Sequence, residues 1–198
     1  MTIRALGSWH RRRVLATIGI TSTLAGCSDT DDDVNSDVPD PDTSESEFLV
    51  DHPVDEPKAF SSSHLCGVCS MAVTDYSDRN AQLAHENGDG MMFCSPGCLF
   101  AYYGVPDQFG APESDIVGAW VTDFETESLV DGFDAVYVLE HDEHRTDDPM
   151  GLDPRVYANM DDARKYIEQY DDLDEDDTVT LSEVGEDIAR MYRRDRLP

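Results

Sequence analysis

Lysine is nearly absent from this 198-residue chain, with only Lys58 and Lys165 present. Its 14 basic residues stand against 43 acidic ones, a formal net charge of −29. Such a surface repels phosphate backbones and anionic lipid, which excludes nucleic acid as a partner. The acids are spread along the whole sequence, so they do not mark a single acidic binding face. Composition of this kind resembles that of proteins from extreme halophiles, where concentrated salt screens the self-repulsion. Long apolar runs are missing as well. The stretch Val14–Leu24 falls short of the about 20 residues that a membrane-spanning helix needs. Catalytic signatures are also lacking: there is no G-x-S-x-G, no H-E-x-x-H and no phosphate-cradling glycine loop. With so many acids, the proximity of two carboxylates carries no information, and the sequence points to no reaction of its own.

What is present begins at the N-terminus. Arg11, Arg12 and Arg13 precede the short apolar stretch, and small residues follow it up to Cys27. That is the order of an export signal, and its paired arginines are similar to a twin-arginine signal. The end of the segment, L24-A-G-C27, resembles a lipobox, in which cleavage leaves Cys27 as the lipid-bearing first residue. Residues 1–26 are therefore expected to be removed, and the product is expected to sit lipid-anchored on the extracytoplasmic face of the cell membrane. Loss of four arginines leaves 10 basic and 43 acidic residues, a net charge of −33. Residues 27–60 are rich in Asp, Glu, Ser and Pro, with only Phe48, Leu49 and Val50 forming an apolar cluster. This composition reads as a disordered acidic tether, and His52 within it as solvated.

The expected folded region is 61–184. Short strands are predicted at 68–73, 80–86 and 91–94, and Ser95 and Pro96 read as N-cap and first residue of a helix through Tyr103. Further strands are predicted at 117–124, 128–130, 135–140, 155–157 and 178–181. Asn159 should cap a helix from Met160 to about Tyr170, because Met160, Ala163, Ile167 and Tyr170 share one apolar face. Residues 185–198 read as a charged terminal helix or tail. The segments M91-M-F-C-S-P-G-C98 and R155-V-Y-A-N-M160 each run strand, polar cap, helix. The fold class expected is α+β, two similar β-β-α units packed together.

Four cysteines remain for the folded region, as Cys66-x-x-Cys69 and Cys94-x-x-x-Cys98. Close thiol pairs on two loops, or on a loop and a helix end, can complete a zinc tetrahedron. A C-x-x-C also marks redox dithiols, and an exported protein meets an oxidising medium. Met71 adds a second soft donor. If residues 69–71 are extended, Cys69 and Met71 point to the same side, and a thiolate with a thioether suits Cu(I) better than zinc. The alternative is that Met71 is core. Cys94 and Cys98 lie about a helix start, where backbone N–H groups favour thiolate. His85, alternating with apolar neighbours, is a candidate third ligand. Met150 sits at the tip of the polar loop H141-D-E-H-R-T-D-D-P-M150, where an apolar residue gains nothing unless the loop folds back.

From His64 to Val184 the chain resembles the NosL family of copper-binding lipoproteins accessory to nitrous oxide reductase. The residues that carry the resemblance are C66-G-V-C-S-M71, F93-C-S95 with the aromatic helix L99-F-A-Y-Y103, W120-V-T-D-F124, A135-V-Y-V138 and D148-P-M-G151. The resemblance implies a tethered Cu(I)-binding protein that hands copper to a partner outside the cytoplasm, with nitrous oxide reductase as recipient. It places Cys69 and Met71 in the copper site and makes Met150 a weaker ligand candidate. The pair Cys94 and Cys98 is a departure that leaves a second metal or a zinc-supported variant open. Structural zinc and an exported dithiol oxidoreductase stand as alternatives.

Overall fold

A computed structural model describes residues 46–197. Among the described residues, eight strands form two antiparallel sheets. The first contains β1 (Val50–Asp51), β2 (Ala81–His85), β3 (Asp89–Phe93), β4 (Ile116–Thr122) and β5 (Leu129–Asp131) in the order β1-β3-β2-β4-β5. The second contains β6 (Val136–Val138), β7 (Arg155–Tyr157) and β8 (Thr178–Val179) in the order β7-β6-β8. Three helices accompany them: α1 (Pro96–Gly104), α2 (Met160–Ile167) and α3 (Glu186–Arg193). The class is α+β, as the sequence predicts.

The two β-β-α units are β2-β3-α1 and β6-β7-α2. Each is a pair of antiparallel strands followed at once by a helix. Every residue of β2 is buried, because it is the central strand of its sheet. Helix α1 is buried on most of its circumference, between the first sheet and α3, so Cys98, Leu99, Phe100 and Tyr102 all lie in the core. Helix α2 is amphipathic and buries Ala163, Tyr166 and Ile167 beside β6 and β7. It ends at Ile167, short of the predicted Tyr170.

Three expectations are corrected. Residues 68–73 are not a strand; they are a turn followed by a 3-10 helix at Val73–Tyr76, joined to Leu65 by the isolated bridge Leu65↔Ala72. The tether does not extend to residue 60. Val50–Asp51 pairs with β3, while Phe48, Leu49 and Val50 pack on the main core. His52 is only 3% exposed, stacks on Trp120 at 5.4 Å and bonds through Nε2 to Gln82 Oε1 at 2.7 Å. Gly90 leaves the space it fills, since a Cβ there would lie 2.5 Å from that of His52. The folded region does not end at 184: the last segment, expected as a helix or tail, is a helix docked on the domain. Ala189, Tyr192 and Arg193 of α3 are buried against α1.

Candidate metal centre

The C66-G-V-C69 segment is a tight turn tied to the first sheet. The Cys66 N–H donates to Met71 O at 2.8 Å, and the Ser70 N–H donates to Cys66 O at 2.8 Å. Ser70 takes a left-handed conformation, φ 64°, which turns the chain back after Cys69. The Gly67 N–H donates to Met92 O at 3.0 Å and so anchors the turn on β3. Glycine is required at this approach, because a Cβ would sit 2.1 Å from Met91 Sδ. Strand β3 then delivers Cys94 just past its end, and α1 delivers Cys98 in its first turn.

These four sulfurs converge. The Sγ atoms of Cys66, Cys69, Cys94 and Cys98 all lie within 4.8 Å of one another, and all four residues are buried. Cys69 Sγ and Cys94 Sγ are 3.3 Å apart, and Cys94 Sγ and Cys98 Sγ 3.8 Å. Zinc–sulfur bonds of about 2.3 Å in a tetrahedron place sulfurs about 3.8 Å apart, so the donor set fits a metal ion of that size. Burial disfavours the charged form of a thiol. For Cys66, desolvation is outweighed by hydrogen bonds from Cys94 and Cys98, and its pKa falls below the ordinary thiol value. Hydrogen bonds from Cys66 and Cys94 lower that of Cys69. Hydrogen bonds with Cys66, Cys69 and Cys98, together with burial, push the Cys94 thiol up.

Beside the cluster lies a charged group that the sequence analysis does not single out. Arg193 of α3 is wholly buried, and its Nε donates to Cys98 Sγ at 3.2 Å. Asp153 faces it, accepting from Arg193 Nη2 at 2.9 Å and from the Gly97 N–H at 2.8 Å. Burial pushes the Asp153 carboxyl up to about 6 against the pull of Arg193. Gly97 makes this approach possible, because a Cβ there would lie 2.6 Å from Asp153 Oδ1 and 2.8 Å from Arg193 Cζ. A glycine in the first turn of a helix, in S95-P-G-C98, is the one sequence sign of a close neighbour.

The remaining candidates fall elsewhere or stand aside. His85 is 1% exposed and its ring nitrogens are engaged, Nδ1 with Ser114 O and Nε2 with Tyr102 Oη, both at 2.9 Å. It is a structural bridge from β2 to α1 and is not in the thiol cluster. Met71 is half-buried and packs on the core that contains the four cysteines, but Ser70 breaks the extended path that would align it with Cys69. Met150 is half-buried in the loop closed by the Asp148↔Gly151 bridge, and it lines a surface recess with Leu152, Met191 and Arg193. The loop does fold back on the domain. Cys27 lies outside the described residues.

A small α+β domain built round a buried cluster of four thiols is what fold and site define together. The sequence model of the NosL family matches residues 57–180, and the chain belongs to that family. Its fold is similar to the crystal structure of the copper chaperone NosL from Shewanella denitrificans, with a TM-score of 0.53. That match covers 68% of this chain and 99% of the other at 19% identity, a likeness of fold. No curated protein sequence matches.

Proposed function

We propose that the protein is a copper carrier, binding Cu(I) as cargo and passing it to a copper-receiving protein outside the cytoplasm. The observation that carries this is the convergence of four buried sulfurs on a point reached from the surface through Cys69, the most exposed of them at 8%. Thiolates are soft donors and hold Cu(I) strongly, and Met71, packed on the same core, offers a weaker thioether. Membership of the NosL family supports the reading, and the solved relative is itself described as a copper chaperone. Transfer is then ligand exchange, in which the recipient's donors displace Met71 before the thiolates. The recipient in this reading is nitrous oxide reductase, whose copper centre the carrier would help assemble. Cys27 carries the lipid that keeps the domain at the membrane.

One observation favours a second reading. Four thiols at near-tetrahedral spacings also suit structural zinc. Metal analysis of the reduced, purified protein, followed by competition with a cuprous chelator and a zinc chelator, separates the two. Tight binding of one Cu(I) that displaces zinc is expected; zinc that Cu(I) cannot displace would overturn the carrier. Mass spectrometry of membrane-extracted protein should find Cys27 as the acylated first residue. A chain keeping residues 1–26 would remove the anchor from the proposal.

A further inference from the structure

The four thiols are not equivalent. Cys66 and Cys98 are 0% exposed, whereas Cys94 and Cys69 reach 3% and 8%. Cys98 alone touches a cation. Arg193 has five N–H groups, and all five find acceptors. Nε donates to Cys98 Sγ at 3.2 Å, and Nη1 donates to Leu152 O at 2.7 Å and Tyr192 O at 2.8 Å. Nη2 donates to Ser95 Oγ at 2.6 Å and Asp153 Oδ1 at 2.9 Å. Asp148 Oδ2 stands 3.5 Å from Nη2, so two buried carboxylates flank the guanidinium. One side chain thus joins the start of α1, the loop 148–153 and α3 around a single sulfur.

We propose that Arg193 is a positioning residue of the metal centre, which fixes Cys98 as the anchored ligand and leaves Cys69 and Cys94 as the exchanging pair. A planar fork with five satisfied donors has one orientation, and the sulfur bonded to it inherits that fixity. A metal–thiolate centre carries excess negative charge, and the guanidinium offsets it at Cys98 where no water reaches. Cys69 and Cys94 have no such partner and lie nearest the solvent, where an incoming ligand must enter. The inference rests on the carrier reading for its cargo, but the geometry holds for any thiophilic ion.

The test is a double-mutant cycle on metal affinity in the full chain, with Arg193→Lys and Cys98→Ser singly and together. Affinity is measured by chelator competition with Cu(I) and, separately, with Zn(II). Partners that orient a metal ligand contribute about 10- to 100-fold in affinity, and Arg193→Lys should weaken binding within that range. In the Cys98→Ser background the same change should have almost no effect, because the sulfur it acts through is gone. Equal loss in both backgrounds would overturn the proposal, since a purely structural arginine would act through the whole domain. Should Arg193→Lys fail to fold, Asp153→Asn replaces it in the cycle. This change loosens the guanidinium while Asp148 keeps it paired. Release to the chelator should accelerate in Arg193→Lys; an unchanged release rate would count against the anchoring role. If the protein binds Zn(II) but no Cu(I), the carrier reading fails while the cycle is still read with zinc.

Discussion

Ser95 and Asn159 stand at the same point of the two β-β-α units with the same backbone conformation, φ −157° and ψ 162° at one, φ −156° and ψ 161° at the other. Their side chains do different things. Asn159 Oδ1 accepts the Asp162 N–H at 3.1 Å and caps α2. Ser95 makes no cap bond; its Oγ accepts from Arg193 Nη2 at 2.6 Å. The neighbouring positions diverge in step. Cys94 and Cys98 in the first unit correspond to Ala158 and Asp162 in the second, where the Ala158 N–H is held by Asp123 Oδ2 at 2.8 Å. One unit has a helix start built for capping, and the other has the same start turned over to a metal centre and its arginine.

The two helix-start positions should therefore respond differently to alanine. Asn159→Ala removes a cap and should lower stability by about 1 kcal/mol. Ser95→Ala removes a buried hydrogen bond to a charged donor and should cost about 1.5–3 kcal/mol. Denaturant unfolding of the two variants measures both. Equal losses would mean that Ser95 acts as an ordinary cap.

Much of this arrangement is legible in the sequence because local chemistry enforces it. Asn159 and Ser95 mark helix starts, and the cysteine pairs find each other. Other parts are set by tertiary contact and leave no local trace. V68-C-S-M-A-V73 has strand composition, yet two backbone bonds and a left-handed Ser70 close it into a turn. His52 lies in an acidic, proline-rich stretch and is buried only because Gly90 on β3 and Trp120 on β4 make room for it. Arg193 reads as one more charge in a charged terminus, and its place beside Cys98 depends on α3 docking against α1. Residues far apart in sequence that meet through one glycine, as Arg193 and Asp153 meet at Gly97, give no periodic signal at all.

His85 offers a clean separation of structure from metal binding. Replacing it with leucine leaves the Tyr102 hydroxyl buried without a partner, which should cost about 1–3 kcal/mol. Cu(I) and Zn(II) affinity should not change, since the thiol cluster lies elsewhere. Thermal unfolding and chelator competition on His85→Leu test both halves. Weakened metal binding in a folded variant would return His85 to the site.

Net charge sets the next expectation. At −29 the chain repels itself, and exposed, solvent-screened ion pairs such as Arg190–Glu186 and Arg164–Glu175 are too weak to offset that. Screening over about 3 Å requires molar salt. Circular dichroism should show structure lost in dilute buffer and regained as salt rises. A fully folded protein in dilute buffer would separate its acidity from any need for salt.

Met71 is the residue on which the choice of metal turns. Its carbonyl accepts the Cys66 N–H at 2.8 Å, so the backbone is held whatever the side chain does. Its thioether is half-buried against the core that holds the four thiols. Leucine is close to methionine in volume, and Met71→Leu should keep the fold at a cost below about 1.5 kcal/mol. If the thioether completes a cuprous site, the same change should weaken Cu(I) binding and leave Zn(II) binding intact, because thioethers favour Cu(I) and add little to zinc. Cys69→Ser should impair both metals, since it removes a thiolate from either centre. Titration of the two variants against cuprous and zinc chelators gives four affinities. Cu(I) binding unchanged in Met71→Leu would reduce Met71 to core packing and leave the four thiols alone to select the metal, a set in which zinc is as well matched as copper.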